Sequence, residues 1–196
     1  MKSFIEIGCG PDGSWGLSLL KKGYKGWFVE PHPGNIIELE KRLTRIPNAL
    51  CKFVCAAIWI KSSIFRFCLT PSGDMASTQI SSHIGESEPY YTKIRETTGL
   101  TDSKGQRIVG KSYWIGAITL AQLFEKTGPV DKIRIDVEGA EVPILREHEW
   151  TFLPNTLHVE FHSQEYQTEI HDILQRQGLQ RATTGGMEHK YIGANQ

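Results

Sequence analysis

The stretch Phe4-Ile-Glu-Ile-Gly-Cys-Gly-Pro-Asp-Gly-Ser-Trp-Gly-Leu-Ser-Leu-Leu-Lys-Lys-Gly-Tyr-Lys-Gly-Trp-Phe-Val-Glu30 holds a complete strand, turn, helix and strand. "FIEIG" reads as a strand, and the glycines at 8, 10 and 13 as a tight turn. "SWGLSLLKKG" reads as a short helix with Trp15, Leu19 and Leu20 at helical spacing and a glycine stop, and "GWFVE" as a second strand halted by Pro31. Two strands joined through a helix run parallel and cross over right-handedly, so both faces of their sheet are covered.

The same alternation continues downstream. "PGNIIELEKRL" starts a helix with proline in its first turn. "LCKFVCAAIW" is a third strand, and "SSIFRFCLT" a fourth that can pair back on it across Lys61 to Ser63. Thr119 is placed as an N-cap and Gly128 as the stop of a helix over "LAQLFEKT". "KIRIDV" is a strand, a helix follows from Glu141 with Pro143 in its first turn, and "TLHVEFH" is the next strand. A helix from "SQEYQTEIHDILQRQG" and a strand pair around "LQRATT" and "HKYIGA" complete the chain. The pattern predicts a three-layer α/β fold with a mainly parallel central sheet, forming one domain over residues 1–196. From Pro71 to about Ser112 the chain turns to Ser, Thr, Gly and charged residues, which predicts a polar lid over residues 71–112.

Bulk composition narrows the function classes. Twenty-two basic and 22 acidic residues leave no formal net charge, so a small or neutral partner is expected rather than nucleic acid or an anionic membrane. No segment approaches the ~18 apolar residues of a membrane helix, and no secretory apolar region is expected from the N-terminal residues. Cys9, Cys51, Cys55 and Cys68 form no CxxC pair and read as reduced thiols of a cytoplasmic protein.

In an open parallel sheet, ligands lie beyond the carboxyl ends of the strands, so polar strand ends locate the site. Gly8, Gly10 and Gly13 match the GxGxxG spacing, which serves NAD, FAD and S-adenosylmethionine alike. Glu6, two residues before the first glycine, suits a ligand bearing a positive amine and is a poor neighbour for pyrophosphate; a local capping role is its alternative. Glu30 ends the second strand, where a carboxylate can accept hydrogen bonds from ribose hydroxyls. Ala56 and Ala57 are small enough to leave room for a flat adenine, although alanines are ordinary in buried strands.

"KIRIDVEGAEVPIL" supplies the next strand end, with Asp136 and Glu138 directed toward the same crevice and Glu141 at the start of the following helix. Clustered carboxylates repel and lose hydration, so they call for a cation, a metal or hydroxyls, and a sulfonium cofactor is one such cation. The period of two places His158, Glu160 and His162 on one strand face. His162, nearest the strand's end, is best placed for general-base work, and His158 reads as a hydrogen-bonded structural histidine. The spacing of Glu138, Glu160 and His162 is compatible with a metal but does not demand one, so no metal ligand is assigned.

These residues resemble the FkbM-type family of methyltransferases that use S-adenosylmethionine. The likeness lies in "FIEIGCGPDG", "VEP" at Glu30, "ITLAQLFE", "KIRIDVEGAEVPIL" and "HVEFH", and "DVEGAE" is its most specific part. The resemblance implies a Rossmann-like class I methyltransferase fold, S-adenosylmethionine as cofactor, and transfer to a hydroxyl oxygen of a small molecule, sugar or glycan. Glu6, Gly8 and Gly10 would hold the methionine end, Glu30 the ribose, and residues around Ala56 the adenine. His162 would deprotonate the acceptor, with Asp136 and Glu138 orienting it or substituting as base. The family commonly shows a pattern like "DVGANxG" where this chain has "EIGCGPDG". Two other readings share parts of the pattern: an NAD-dependent oxidoreductase, for which no well-placed Tyr/Lys pair is seen, and a protein that binds S-adenosylmethionine without turnover. A nucleic acid methyltransferase lacks support, because neither a base-flipping motif nor a basic patch is present.

Overall fold

The computed structural model describes residues 1–68, 79–82, 112–161 and 163–193. The expected lid over residues 71–112 therefore lies outside the described residues except at 79–82 and 112, and so does His162.

The elements in chain order are β1 (Ser3–Ile7), α1 (Ser14–Leu20), β2 (Lys25–Val29), α2 (Pro33–Leu43), β3 (Cys51–Val54), β4 (Ala57–Ile58), β5 (Ser63–Cys68), β6 (Gln79–Ser82) and β7 (Ser112–Ile118). They continue with α3 (Leu120–Thr127), β8 (Lys132–Ile135), α4 (Glu141–Glu147), β9 (Thr156–Glu160), α5 (Gln164–Arg176), β10 (Leu179–Gly185) and β11 (Glu188–Gly193).

The main sheet has the order β10-β11-β9-β8-β1-β2-β3. Strands β1, β2, β3, β8 and β9 are parallel, while β11 runs antiparallel to both β9 and β10. The chain builds outward from β1 through β2 to β3, then returns to β1's other side with β8 and β9. This reversal leaves a crevice between the carboxyl ends of β1 and β8, the usual ligand position in a Rossmann-like sheet.

Side-chain alternation explains the two covered faces. Phe4 and Phe28 point to one side, packing with Leu19, Leu20 and Leu39. Ile5, Ile7, Val29, Ile133, Ile135, Leu157 and Val159 form the larger core on the other side. Each such fully buried side chain contributes roughly 1.5–3 kcal/mol of transfer free energy. Local signals set the helix starts. Pro33 opens α2 and the ring of His32 accepts the Asn35 N–H at 3.2 Å. Thr119 and Gln122 form a reciprocal capping box on α3, with Gly128 as its C-cap, and Ser163 caps α5.

Strand β5 corrects one expectation. It does not pair back on the third strand but joins a second sheet of order β4-β7-β5-β6. The predicted third strand divides at Cys55 and Ala56: β3 stays beside β2, and β4 leaves to pair with β7 through Ala57 and Ala117. A two-residue β4 offers little ladder, whereas β7 matches β5 over Ser63↔Ala117 to Cys68↔Ser112, so the longer set of hydrogen bonds decides the partner. Among the described residues no helix is long and apolar enough to cross a membrane.

Candidate cofactor cleft

A cleft of about 560 Å³ opens at the reversal point, a volume typical of small-molecule sites. Glu6, Gly8, Gly10, Glu30, Ala56, Asp136 and Glu138, which the sequence places at four different strand ends, all line it.

The loop after β1 is held by its own backbone. Gly8 has φ +74° and donates its N–H to the Val29 carbonyl at 2.8 Å. Gly10, at φ +58°, donates to Glu30 Oε2 at 3.0 Å. Glu30 is buried, and its Oε1 accepts from the His32 N–H at 2.9 Å and from Asn35 Nδ2 at 3.1 Å. Burial raises its pKa, and these three hydrogen bonds oppose the rise. Glu30 is thus preoriented at the end of β2, with acceptor capacity left for a ligand hydroxyl.

Glu6 takes up the local capping role while also lining the cleft. Its side chain lines the cleft, yet Oε2 accepts the Gly16 N–H at 2.8 Å and so anchors the first turn of α1. Burial pushes its pKa up to about 7, against the Gly16 hydrogen bond and the charge of Arg134.

Beyond β8 the turn is tight. Glu138 is exposed at φ +55°, a left-handed conformation uncommon for a residue with a side chain. Gly139 follows at φ +97°. Glu141 is buried at the start of α4, as expected, and its Oε1 accepts the Val137 N–H at 2.8 Å, tying the turn to the helix. His158 does not reach the cleft lining. Its Nδ1 lies 2.9 Å from Glu188 Oε1 and its ring stands edge-on to Trp15, which fits the structural reading.

Sequence reasoning missed Arg134. The clustered carboxylates were expected to need a bound cation or hydroxyls, but the chain supplies its own counter-ion. Arg134 Nη1 lies 3.1 Å from Asp136 Oδ2 and 3.9 Å from Glu6 Oε1, Nη2 lies 2.7 Å from Glu160 Oε2, and Nε lies 2.9 Å from Glu188 Oε2. A signal was present: in "RID" the two-residue period puts Arg134 and Asp136 on one face of the strand. Asp12, Asn35 and Glu160 also line the cleft without having been singled out as cofactor contacts. Arg134 is the sole basic residue in that lining among the described residues, against Glu6, Asp12, Glu30, Asp136, Glu138 and Glu160. Among the described residues no group of three or more His, Cys, Asp or Glu could hold a metal ion.

The chain aligns with solved structures over most of its length. Magnesium protoporphyrin IX methyltransferase of Synechocystis PCC 6803, with bound S-adenosylmethionine, is 12% identical over 97% of this chain and 69% of its own, with a TM-score of 0.50, a likeness of fold alone. The human methyltransferase 10 domain containing protein is 9% identical over 98% of this chain and 70% of its own (TM-score 0.48). Fibrillarin of Aeropyrum pernix, with natively bound S-adenosylmethionine, is 10% identical over 97% of this chain and 66% of its own (TM-score 0.46). No curated protein sequence matches the chain. The methyltransferase FkbM domain profile, however, matches residues 10–181, from the glycine loop to the strand after α5. The chain therefore belongs to the FkbM methyltransferase family, and it is a methyltransferase dependent on S-adenosylmethionine.

Proposed function

We propose that the acceptor is a hydroxyl oxygen of a small molecule, sugar or glycan. The observation that carries this reading is the pair of carboxylates at the end of β8: Asp136, held by Arg134, and Glu138, exposed at the lip of the cleft in a left-handed turn. A carboxylate in reach of an acceptor hydroxyl can orient it and take its proton, and non-glycine residues in left-handed turns are frequent at functional sites. Family membership sets aside the nicotinamide alternative.

The residues present fit the cofactor. An excess of lining carboxylates over the single guanidinium favours a cationic ligand, the small Ala56 and Ala57 border the cleft, and Glu30 is fixed with acceptor capacity to spare. We assign Glu6, Gly8 and Gly10 to the methionine end, Glu30 to the ribose and Ala56 to the adenine. S-adenosylmethionine, when bound, supplies a methyl group on a positively charged sulfur. The chain's own contribution is to align the acceptor with that methyl at near-contact distance and to remove the acceptor's proton. His162, which follows Phe161 just past the end of β9, is assigned as the first-choice base, with Asp136 and Glu138 orienting the acceptor. We place the reaction in the cytoplasm, consistent with the free thiols of Cys9, Cys51 and Cys55.

The test is incubation with S-adenosylmethionine and a panel of hydroxylated, amine and carbon acceptors, with products identified by mass spectrometry and NMR. The expected product carries its new methyl on oxygen. A methyl found only on nitrogen or carbon overturns the oxygen assignment. Loss of the acidic limb of the pH–rate profile, where a general base must shed its proton, is expected in His162→Ala as well, and an unaltered profile removes His162 from the base role.

A further inference from the structure

The guanidinium of Arg134 is shared among four carboxylates, which come from β1, β9, β11 and the residue just past the end of its own strand. Register places Arg134 of β8 beside Glu6 of β1 on one side and His158 of β9 on the other, all on the sheet face opposite the larger core. One step toward the carboxyl ends, Asp136 and Glu160 stand on that same face, and Glu160 is in register with Glu188 of β11. The guanidinium lies below this acidic row. Its side chain is 16% exposed, so these charge pairs are shielded from water more than surface ion pairs are.

The bracing comes from outside the cleft. Glu188 is not among the lining residues, but one of its oxygens receives Arg134 Nε and the other meets His158 Nδ1, and the His158 ring is packed by Trp15. Trp15, His158 and Glu188 therefore fix the Arg134 plane from behind, while its Nη atoms hold Asp136 and Glu160 in front. A planar guanidinium with two directions of donation transmits orientation in a way that a point charge cannot.

We propose that Arg134 is the positioning residue of the cleft, the fixed cation that orients Asp136 and keeps the surrounding carboxylates arranged for the cationic end of the cofactor. The proposal rests on the cofactor assignment above. Without Arg134, Asp136 and Glu160 would lose the counter-charge that it supplies, which favours their turning away or taking up a proton. The groups acting on Glu6 are the Gly16 N–H of α1, Arg134 of β8, Asp136 just past it, and Asp12 and Cys9 of the loop after β1. The Gly16 hydrogen bond and Arg134 favour the ionised carboxylate, and Arg134 is the charged group that does so, so its loss makes Glu6 protonate at still higher pH.

The experiment measures S-adenosylmethionine binding by calorimetry from acid to mildly alkaline pH for the wild type, Arg134→Met, Arg134→Lys and Glu188→Gln, with folding checked by circular dichroism. The ligand's own amino group titrates identically in every arm, so differences between profiles belong to the protein. Arg134→Met is expected to bind about ten-fold more weakly or worse, the scale of one lost charge-assisted hydrogen bond, with the midpoint of its pH dependence moved upward. Arg134→Lys should recover part of the affinity and part of the midpoint, and Glu188→Gln should weaken binding although it lies outside the cleft. Wild-type affinity and midpoint in a folded Arg134→Met overturn the proposal; where that variant does not fold, the same result in Arg134→Lys overturns it. A wild type that does not bind the cofactor defeats the cofactor assignment and this proposal together, whereas binding by all four proteins alike defeats this one alone.

Discussion

The carbonyl oxygen of Asp136 lies 1.6 Å from the point that a Cβ on Gly8 would occupy, so the end of β8 rests directly against the bare backbone of the loop after β1. This close approach brings the glycine loop and the acidic strand end into one cleft. Gly8→Ala must displace backbone rather than a side-chain tip, and it also places alanine at φ +74°. It is expected to cost at least about 3 kcal/mol, the left-handed penalty plus the overlap, and to abolish cofactor binding. Gly10→Ala is the control: at φ +58° its Cβ would meet, among the described residues, only Asp12 Oδ1 at 3.9 Å, so about 1–2 kcal/mol is expected from conformation alone. Urea denaturation of both variants measures the difference, and equal costs would contradict the packing argument.

Glu30 organises three donors that have no reason to converge otherwise. Glu30→Ala strands the N–H groups of Gly10 and His32 and the amide of Asn35, each worth about 1–3 kcal/mol when left buried without an acceptor. Water entering the space offsets part of this, and a net loss of about 2–4 kcal/mol is expected together with weaker S-adenosylhomocysteine binding. Titration calorimetry beside chemical denaturation checks it. Unchanged ligand affinity in a folded variant would remove Glu30 from the ribose role while leaving its structural role intact.

Glu6 exchanges stability for charge. Its folded pKa, near 7, lies above the ordinary value of 4.5, so the folded state binds this proton more tightly than the unfolded chain does. Its contribution to stability is therefore fully present below pH 4.5 and is lost as the pH rises through about 7. Glu6→Gln keeps an acceptor for the Gly16 N–H and has no charge to bury. It should gain on the wild type as pH rises, by on the order of 2–3 kcal/mol above the folded pKa. Stability curves at several pH values read this directly. The same variant should bind S-adenosylmethionine more weakly, and a parallel pH dependence in both proteins would show that Glu6 is not the titrating group.

His148 sets an opposite limit on the acid side. It is buried against Trp150 and Phe124, and burial lowers its pKa from 6.5 to about 4. The unfolded chain accepts a proton at 6.5 and the folded protein only near 4, so stability falls as the pH drops through that interval. His148→Phe removes the group that must charge, and near pH 5 its stability relative to the wild type should improve by about 2 kcal/mol over the difference seen at alkaline pH. Thermal unfolding across that range tests it, and a constant difference would mean that His148 is not what limits acid stability.

The sequence by itself determined the order of the main sheet's strands and the helices between them, the glycine turn after β1, the helix starts at Pro33 and Thr119, and the polar ends at Glu6, Glu30, Asp136 and Glu138, but not strands β6 and β7. These are legible because alternation, capping and turn chemistry are local, acting within a few residues. Local pattern also favoured FkbM membership through "DVEGAE", which the matched profile bears out. Only the tertiary structure decided that β5 joins β7 rather than the third strand, because strand partners are chosen by whichever distant segment offers the better ladder. It likewise decided that Glu6 spends one oxygen on Gly16 and that the acidic strand ends already have a cation in Arg134. Arg134 draws its partners from β1, β9 and β11 and from the end of its own strand, up to 128 residues distant in Glu6 and 54 in Glu188. Coulomb interactions and desolvation depend on distance in space and on exclusion of water, neither of which exists until the sheet has assembled.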